Sequence, residues 1–380
     1  MNTQAHTWIE ISKDAFDHNV RQYKTIIGHD RALGVVVKSN AYGHGMAQMA
    51  PLCQHNDAIE WLFVSSLSEA LLLRSLNVTK HILVMCLLDA DPAQAIALNI
   101  DMIIFDKATL ERLNACGITA GKPARVHLKI DTGMSRFGFY AHEVIDIIHL
   151  IQTMSGITLH GLYTHFSESE KEDQTFTRQQ LQQFTDLIAA LETRGIQIPY
   201  KHACNTAATT MHDVARFNVV RVGAGNYGLL PSVYTHRIAQ EKYPDFSLRQ
   251  IMTWKTTIMH MRTIAANTPI GYGRTNVLQH ESTIALLPVG YVEGYDRRLA
   301  NKGRIYFPRT HSYGTVAGRI CMNVIMVLLE NPLAAHPGDE AVLIGDYQEL
   351  RAFDIAQLIE GYNAREITSR MNPLITRIVV

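Results

Sequence analysis

A β-branched run, Val35-Val36-Val37, ends in Lys38 and passes at once into Ser39-Asn40-Ala41-Tyr42-Gly43-His44-Gly45. Such a run reads as a buried strand. It carries an amine to the strand's C-terminal end, where barrels and open sheets keep their chemistry. A lysine deprived of water there loses its charge and becomes a nucleophile or a base. An isolated V-V-V-K would read more simply as a strand-end lysine reaching solvent. The Tyr-Gly-His-Gly tail alters the balance, because it sets a phenol, an imidazole and two permissive backbone positions beside the amine.

Further strand-like runs end in groups of the same kind. Lys129-Ile130-Asp131-Thr132-Gly133-Met134-Ser135-Arg136 follows one, and His165 closes another in Thr164-His165-Phe166. Asn205 and Thr206 end a third, and a fourth finishes in Arg221-Val222-Gly223-Ala224-Gly225. Each has an ordinary explanation by itself: Arg136 as a surface ion-pair partner, His165 as a core histidine, Thr206 as a helix cap, Gly223 as a turn. Together they bring Lys38, Lys129, Arg136, Arg221, His165 and a Gly/Thr phosphate cradle to one rim. Converging charge is costly unless it is used.

The set matches what pyridoxal phosphate requires. The cofactor needs an amine to condense with its aldehyde. Its phosphate needs backbone N–H groups and hydroxyls such as those of Thr206 and Tyr42. Its ring nitrogen needs a partner. Arginine does not deprotonate, so Arg221 in that place leaves the nitrogen unprotonated and the ring a weaker electron sink. That suits a quick proton transfer. The chain has no H-E-x-x-H or C-x-x-C, and no metal site is expected.

These groups need a scaffold that points them the same way. Candidate strands fall at 33–37, 61–65, 81–86, 101–105, 125–130, 158–164, 200–204 and 219–222. Amphipathic stretches lie between them, for example at 13–27, 66–76, 107–116, 142–153 and 173–194. Ser68-Glu69 and Asp106 sit where helix N-terminal signals belong. This is the arithmetic of a parallel (β/α)8 barrel of TIM type. A doubly wound open sheet is the alternative; it would have fewer strands and a G-x-G-x-x-G loop, which is absent.

After Pro231 the texture changes. Residues 232–250 read as a polar, irregular connection. Short runs punctuated by glycine follow at 252–261, 283–287, 304–307, 314–316, 324–329 and 341–344, with one helix at 353–362. This is an all-β domain. The expected organisation is α/β: an N-terminal strand within 1–12, a cofactor-binding barrel over 13–235 and a β domain over 236–380.

The 380 residues carry a formal net charge of zero, which gives no support for a nucleic-acid or anionic-membrane partner. The N-terminus lacks the pattern of a signal peptide, and no apolar stretch approaches a membrane span. The five cysteines are scattered and odd in number, and read as reduced thiols of a cytoplasmic protein.

The chemistry-bearing motifs resemble those of the alanine racemase family, the barrel-type pyridoxal-phosphate racemases. The most specific pieces are residues 36–45, residues 129–138, Gly271-Tyr272-Gly273-Arg274-Thr275, residues 288–295 and Gly318-Arg319-Ile320-Cys321-Met322-Asn323. Their order and spacing fit as well. The resemblance implies a small-molecule amino-acid substrate, racemisation of alanine by two bases, and D-alanine for peptidoglycan as the product's use. Lys38 would hold the cofactor and act on the D-face. Tyr272, from the β domain of a second subunit, would act on the L-face. Arg221 would contact the ring nitrogen, and His165 would link Arg221 to Tyr272. Tyr42, Asn205, Thr206, Gly223 and Ala224 fall at cofactor contacts. Arg136 would bind the substrate carboxylate, oriented by a carbamylated Lys129, and Tyr291 and Met322 would line an entrance supplied by the other subunit. A head-to-tail homodimer follows, with residues 7–11 pairing with the β domain.

Two positions depart from the family pattern. Many members carry Asp where this chain has Asn323. The family also has a tyrosine close to Pro373 that contacts the phosphate and crowds the substrate methyl, and here no tyrosine follows Tyr362. One phosphate hydrogen bond, worth ~1–2 kcal/mol, is then missing unless Asn372 or water replaces it. The pocket is also roomier, so a broad-specificity or serine racemase is the first alternative. A barrel-type decarboxylase of basic amino acids, to which Cys321 bears a superficial likeness, is the second. A non-catalytic carrier of the cofactor is the third.

Overall fold

A computed structural model describes residues 6–361 and 363–380. Residues 1–5 of the expected N-terminal segment, and Tyr362 at the end of the expected helix, lie outside the described residues. The first strand is β1 (Thr7–Ile11). Eight more form a single parallel sheet: β2 (Ala32–Val36), β3 (Ile59–Ser66), β4 (His81–Leu87), β5 (Asp101–Ile104), β6 (Ala124–Lys129), β7 (Ile157–Tyr163), β8 (Tyr200–His202) and β9 (Val219–Val222). Their order is β8-β7-β6-β5-β4-β3-β2-β9. Its two ends meet where the Arg221 N–H donates to the Cys204 carbonyl at 3.0 Å. The sheet is thus a nearly closed barrel with helices outside it, as the alternating pattern predicts.

Burial explains the strand sequences. Every residue of β2 and β5 is buried, because barrel strands face side chains inside and helices outside. Trp61, Phe63, Leu83 and Val219 fill part of the interior. The helices begin on side-chain caps. Ser12 accepts from the Ala15 N–H, and Asp106 from the Thr109 N–H. At the Ser68-Glu69 signal the cap is Ser66, two residues earlier than Ser68, with Glu69 closing the capping box.

The second half is an all-β domain, again as the sequence predicts. Its strands are β10 (Met252–Thr257), β11 (His260–Ile264), β12 (Pro269–Ile270), β13 (Asn276–Val277), β14 (Ser282–Leu287), β15 (Arg304–Phe307), β16 (Ser312–Val316), β17 (Ile325–Leu329), β18 (Glu340–Ile344) and β19 (Thr376–Val379). One sheet runs β11-β14-β17-β16-β15-β18-β10-β1-β19, and β12 and β13 make a separate hairpin. β1 lies between β10, antiparallel, and β19, parallel.

Three local expectations are corrected. The segment 232–250 is not irregular throughout, because a helix, Val233–Lys242, starts on the Ser232 side chain. That helix also runs through the 235/236 boundary drawn between barrel and β domain. The run 252–261 divides at Ile258-Met259, where the backbone leaves β18 for β14; its apolar pattern continues across the break and hides it. In place of one helix at 353–362 there are two short ones, Ala352–Gln357 and Ala364–Ser369, the second capped by Asn363.

Candidate active site

Lys38 opens a left-handed turn. Ser39, Asn40, Ala41 and Tyr42 have φ of 55, 52, 54 and 55°, which costs an L-residue roughly 1–2 kcal/mol each. Hydrogen bonds fix it. The Ala41 N–H donates to the Val37 carbonyl at 2.9 Å, and the Gly45 N–H to the Asn40 carbonyl at 2.9 Å. Glu69 accepts from the Ser39 N–H at 2.5 Å and from the Ser65 N–H at 2.8 Å. The C-terminal segment clamps the other side, with Arg377 Nε donating to the Gly43 carbonyl at 2.9 Å. A Cβ at Gly43 would stand 1.9 Å from the Thr368 carbonyl oxygen, so this approach requires glycine.

The turn sets Lys38 on a cavity of about 290 Å³ at the C-terminal rim of the barrel. Tyr42, Arg136, His165, Asn205, Thr206, Arg221, Gly223 and Ala224 line the same cavity. The Lys38 amine has no hydrogen bond or ion pair among the described residues. Burial, reinforced by the Arg136 charge, lowers its pKa and favours the nucleophilic form.

One end of the cavity gathers two hydroxyl groups, Thr206 and Tyr42, at a glycine corner. Thr206 Oγ1 accepts from the Gly223 and Gly225 N–H groups at 3.1 and 3.3 Å, which frees its own proton to be donated. A Cβ at Gly223 would lie 2.6 Å from the Tyr42 hydroxyl, so glycine keeps this corner open. Burial pushes the Tyr42 phenol up to about 12, and it stays a donor. The Asn205 carboxamide caps the helix Thr206–Met211 by accepting from the Ala208 N–H at 3.0 Å.

Arg221 is buried and heads a one-way hydrogen-bond chain. Its Nη2 donates to the Thr164 and Ala203 carbonyls at 2.9 Å each. Its guanidinium also meets His202 Nδ1 at 2.7 Å and His165 Nδ1 at 3.3 Å. A guanidinium only donates, so each of these Nδ1 atoms accepts and each ring carries its proton on Nε2. The His202 proton then points to His127 Nδ1 at 2.9 Å, and the His127 proton to Asp101 Oδ2 at 3.1 Å. Asp101 also binds His160 and pairs with Arg125 at 2.6 Å. Burial holds His165, His202 and His127 below the usual imidazole range. Burial pushes Asp101 up, but hydrogen bonds from His127 and His160 overcome this and hold it below the usual carboxylate range.

Sequence reasoning missed this barrel-core cluster. Asp101, His127 and His160 stand close enough to share a cation, yet each is already bonded within the group. The available signal was a polar residue inside an otherwise apolar strand, as in Val126-His127-Leu128. Sequence reasoning also missed Glu69 and Arg365; in the sequence Glu69 reads only as a helix-start signal.

The remaining predicted residues lie elsewhere. Lys129 is buried, donates to the Ile130 carbonyl, and burial pushes its pKa down to about 7. Within one chain Tyr272, Tyr291 and Met322 do not line the cavity; they are 71, 40 and 54% exposed on the β domain. The Tyr291 N–H donates to the Cys321 carbonyl at 3.2 Å, and the Val292 N–H to the Met322 carbonyl at 3.2 Å, which ties the two loops together. Asn323 donates to Glu293 at 2.8 Å, a bond that an ionised Asp at this position would turn into repulsion. Pro373 does not line the cavity, whereas Arg365 does.

Comparison with known proteins agrees with this architecture. Residues 11–231 match the family profile "Alanine racemase, N-terminal domain", and residues 251–379 match "Alanine racemase, C-terminal domain". The chain is 33% identical over 355 residues to alanine racemase 2 of Caldanaerobacter subterraneus, covering 92% of this chain and 89% of that one. It is 33% identical over 380 residues to the alanine racemase of Leptospira interrogans, covering 98% and 96%. The crystal structure of alanine racemase from a D-cycloserine producing Streptomyces lavendulae superposes with a TM-score of 0.91 at 30% identity, covering 100% and 98%. The fold, the lysine-centred cavity and these matches define an amino-acid racemase. The chain belongs to the alanine racemase family.

Proposed function

We propose that this chain interconverts L- and D-alanine with pyridoxal 5'-phosphate as cofactor, Lys38 as one base and Tyr272 of a second subunit as the other. The observation that carries this reading is the unpartnered Lys38 amine in one cavity with the Thr206/Gly223 cradle and buried Arg221. The donor set fits the cofactor: an amine for its aldehyde, an open glycine corner with two hydroxyl donors for its phosphate, and a cation for its ring nitrogen. Bound there, pyridoxal phosphate supplies a ring that delocalises the electrons left when the substrate Cα loses its proton.

Lys38 takes or returns that proton on one face, and the Tyr272 phenol does so on the other. The Nδ1 of His165 is committed to Arg221, so its Nε2–H is the atom left to bond the Tyr272 oxygen. Asn205 and Ala224 shape the phosphate end beside Tyr42. Arg136 binds the substrate carboxylate. Lys129, with a near-neutral amine, is suited to take up carbon dioxide as a carbamate, which places a negative charge to orient Arg136. Tyr291 and Met322 close the site from the second subunit of a homodimer. The reaction belongs in the cytoplasm, where D-alanine enters peptidoglycan synthesis; among the described residues no helix is long and apolar enough to cross a membrane.

Incubating L-alanine with the protein and pyridoxal phosphate, followed by chiral chromatography, should give an even mixture of enantiomers. Failure to approach it would sink the alanine reading. Pro373, where the family has a crowding phenol, favours side activity on serine. A higher kcat/KM on L-serine would make a serine or broad-specificity racemase the better description. Buried Arg221 puts a cation, not a carboxylate, where the ring nitrogen would sit, which favours racemisation over decarboxylation of a basic amino acid.

A further inference from the structure

The place of the missing phosphate donor is not taken by the residue nearest in sequence. Asn372 commits its amide to the Val292 carbonyl at 3.2 Å and its carboxamide oxygen to the Leu374 N–H at 2.9 Å. Pro373 offers no hydroxyl. A different residue of the same C-terminal segment reaches the cavity: Arg365, on the helix Ala364–Ser369. That helix packs against the Lys38 turn, where Thr368 closely approaches Gly43, and Arg377 ties the segment that follows it to the same turn.

The Arg365 side chain is anchored at one atom. Its Nε donates to Asn363 Oδ1 at 3.2 Å. Its two terminal amino groups have no hydrogen bond, and it has no ion pair, among the described residues. It lines the same cavity as Lys38 and Tyr42, and its charge acts on both. The carboxylate that could neutralise it within the cavity, Glu170, is outnumbered by Arg136, Arg221 and Arg365. A half-buried guanidinium with two free donor groups, beside two hydroxyl donors and an open glycine corner, is the constellation for a doubly charged oxyanion.

We infer that Arg365 binds the cofactor's phosphate and takes over the task that a tyrosine hydroxyl performs elsewhere in the family. The inference rests on the pyridoxal-phosphate reading above. It exchanges a neutral donor for a charge-assisted, two-pronged one, and it frees the volume of a phenol near the substrate.

The test compares pyridoxal phosphate with pyridoxal, which lacks the phosphate but keeps the aldehyde. Protein stripped of cofactor with hydroxylamine is titrated with each compound, and binding is read from the visible absorbance of the bound ring. Arg365→Gln should weaken pyridoxal phosphate about ten- to hundredfold, the size of one charge-assisted contact, and leave pyridoxal unchanged. Arg365→Lys should recover part of the loss. Inorganic phosphate should compete with pyridoxal phosphate less well in Arg365→Gln than in the unaltered protein. Equal weakening of both compounds would mean a collapsed pocket and overturn the inference. So would unchanged binding of both, or unchanged binding with a raised KM for the amino acid, which would move Arg365 to the substrate carboxylate. If the unaltered protein bound neither compound, or if Lys38→Ala kept the absorbance, the cofactor reading itself would fall.

Discussion

His44 shows how strongly this site bends ordinary titration. It is fully buried, its Nδ1–H bonds the Ala41 carbonyl at 2.9 Å, and its Nε2 has no partner. Its ring stacks on Tyr227 at 4.4 Å. Protonation would strand a charge in this apolar setting, so burial pushes the pKa down to about 3. Unfolded, the same imidazole titrates near 6.5. The unfolded chain therefore binds the extra proton first as pH falls below 6.5, and stability drops with it. Between pH 7 and pH 5 this residue alone costs about 2 kcal/mol. His44→Phe keeps the stacking and loses the titration. The variant should be the less stable at pH 7, and the gap should narrow by about 2 kcal/mol at pH 5. Urea midpoints at one fixed protein and cofactor concentration measure it, and a gap that ignores pH would refute the argument.

At the scale of elements, the sequence announces what repeats and conceals what is singular. The barrel strands were legible because eight apolar runs alternate with helical periodicity, and the five that carry a functional group put it at the same end. Lys38, Thr206 and Arg221 could be placed on one rim for that reason. The left-handed turn at 39–42 was not legible. Nothing in Ser-Asn-Ala-Tyr favours positive φ at four consecutive positions; long-range partners impose it, and one of them, Glu69, reads in sequence as a helix-start acid. Arg365 was hidden for a similar reason, since a short helix from the far end of the chain brings it to the first barrel strand. The strain in the turn makes Glu69 a positioning residue. Glu69→Ala leaves the Ser39 and Ser65 N–H groups without their acceptor, at a cost of roughly 2–3 kcal/mol. The turn should relax towards a right-handed form and carry Lys38 off line. The expected result is a lower thermal midpoint and a fall in kcat larger than any rise in KM, with Glu69→Gln intermediate because it keeps one carbonyl acceptor. A variant with unaltered kcat would show that the turn holds without the carboxylate.

At the scale of the whole molecule, the position of Tyr272 decides how the enzyme must be assembled. The phenol is exposed on the β domain and does not line the cavity of its own chain. If the reaction needs both bases, each site must combine Lys38 of one protomer with Tyr272 of another, and a two-fold dimer supplies that exchange twice. This geometry has a consequence that a single-chain site cannot imitate. On the proposed two-base reading, Lys38→Ala and Tyr272→Phe should each be inactive as homodimers, because every site would lack one base. In the mixed dimer one site lacks both, and the other pairs an intact Lys38 with an intact Tyr272. Random reassortment of equal amounts makes half the dimers mixed, and one site in two within those is intact, so about a quarter of the wild-type activity should return. The measurement is racemisation before and after the two inactive variants are mixed and their subunits exchanged, with the exchange followed by native mass spectrometry. Recovery must track the mixed species. Exchange without recovery would place both bases in one chain, and full retention of activity in Tyr272→Phe alone would remove the phenol from the chemistry and leave Lys38 to serve both faces.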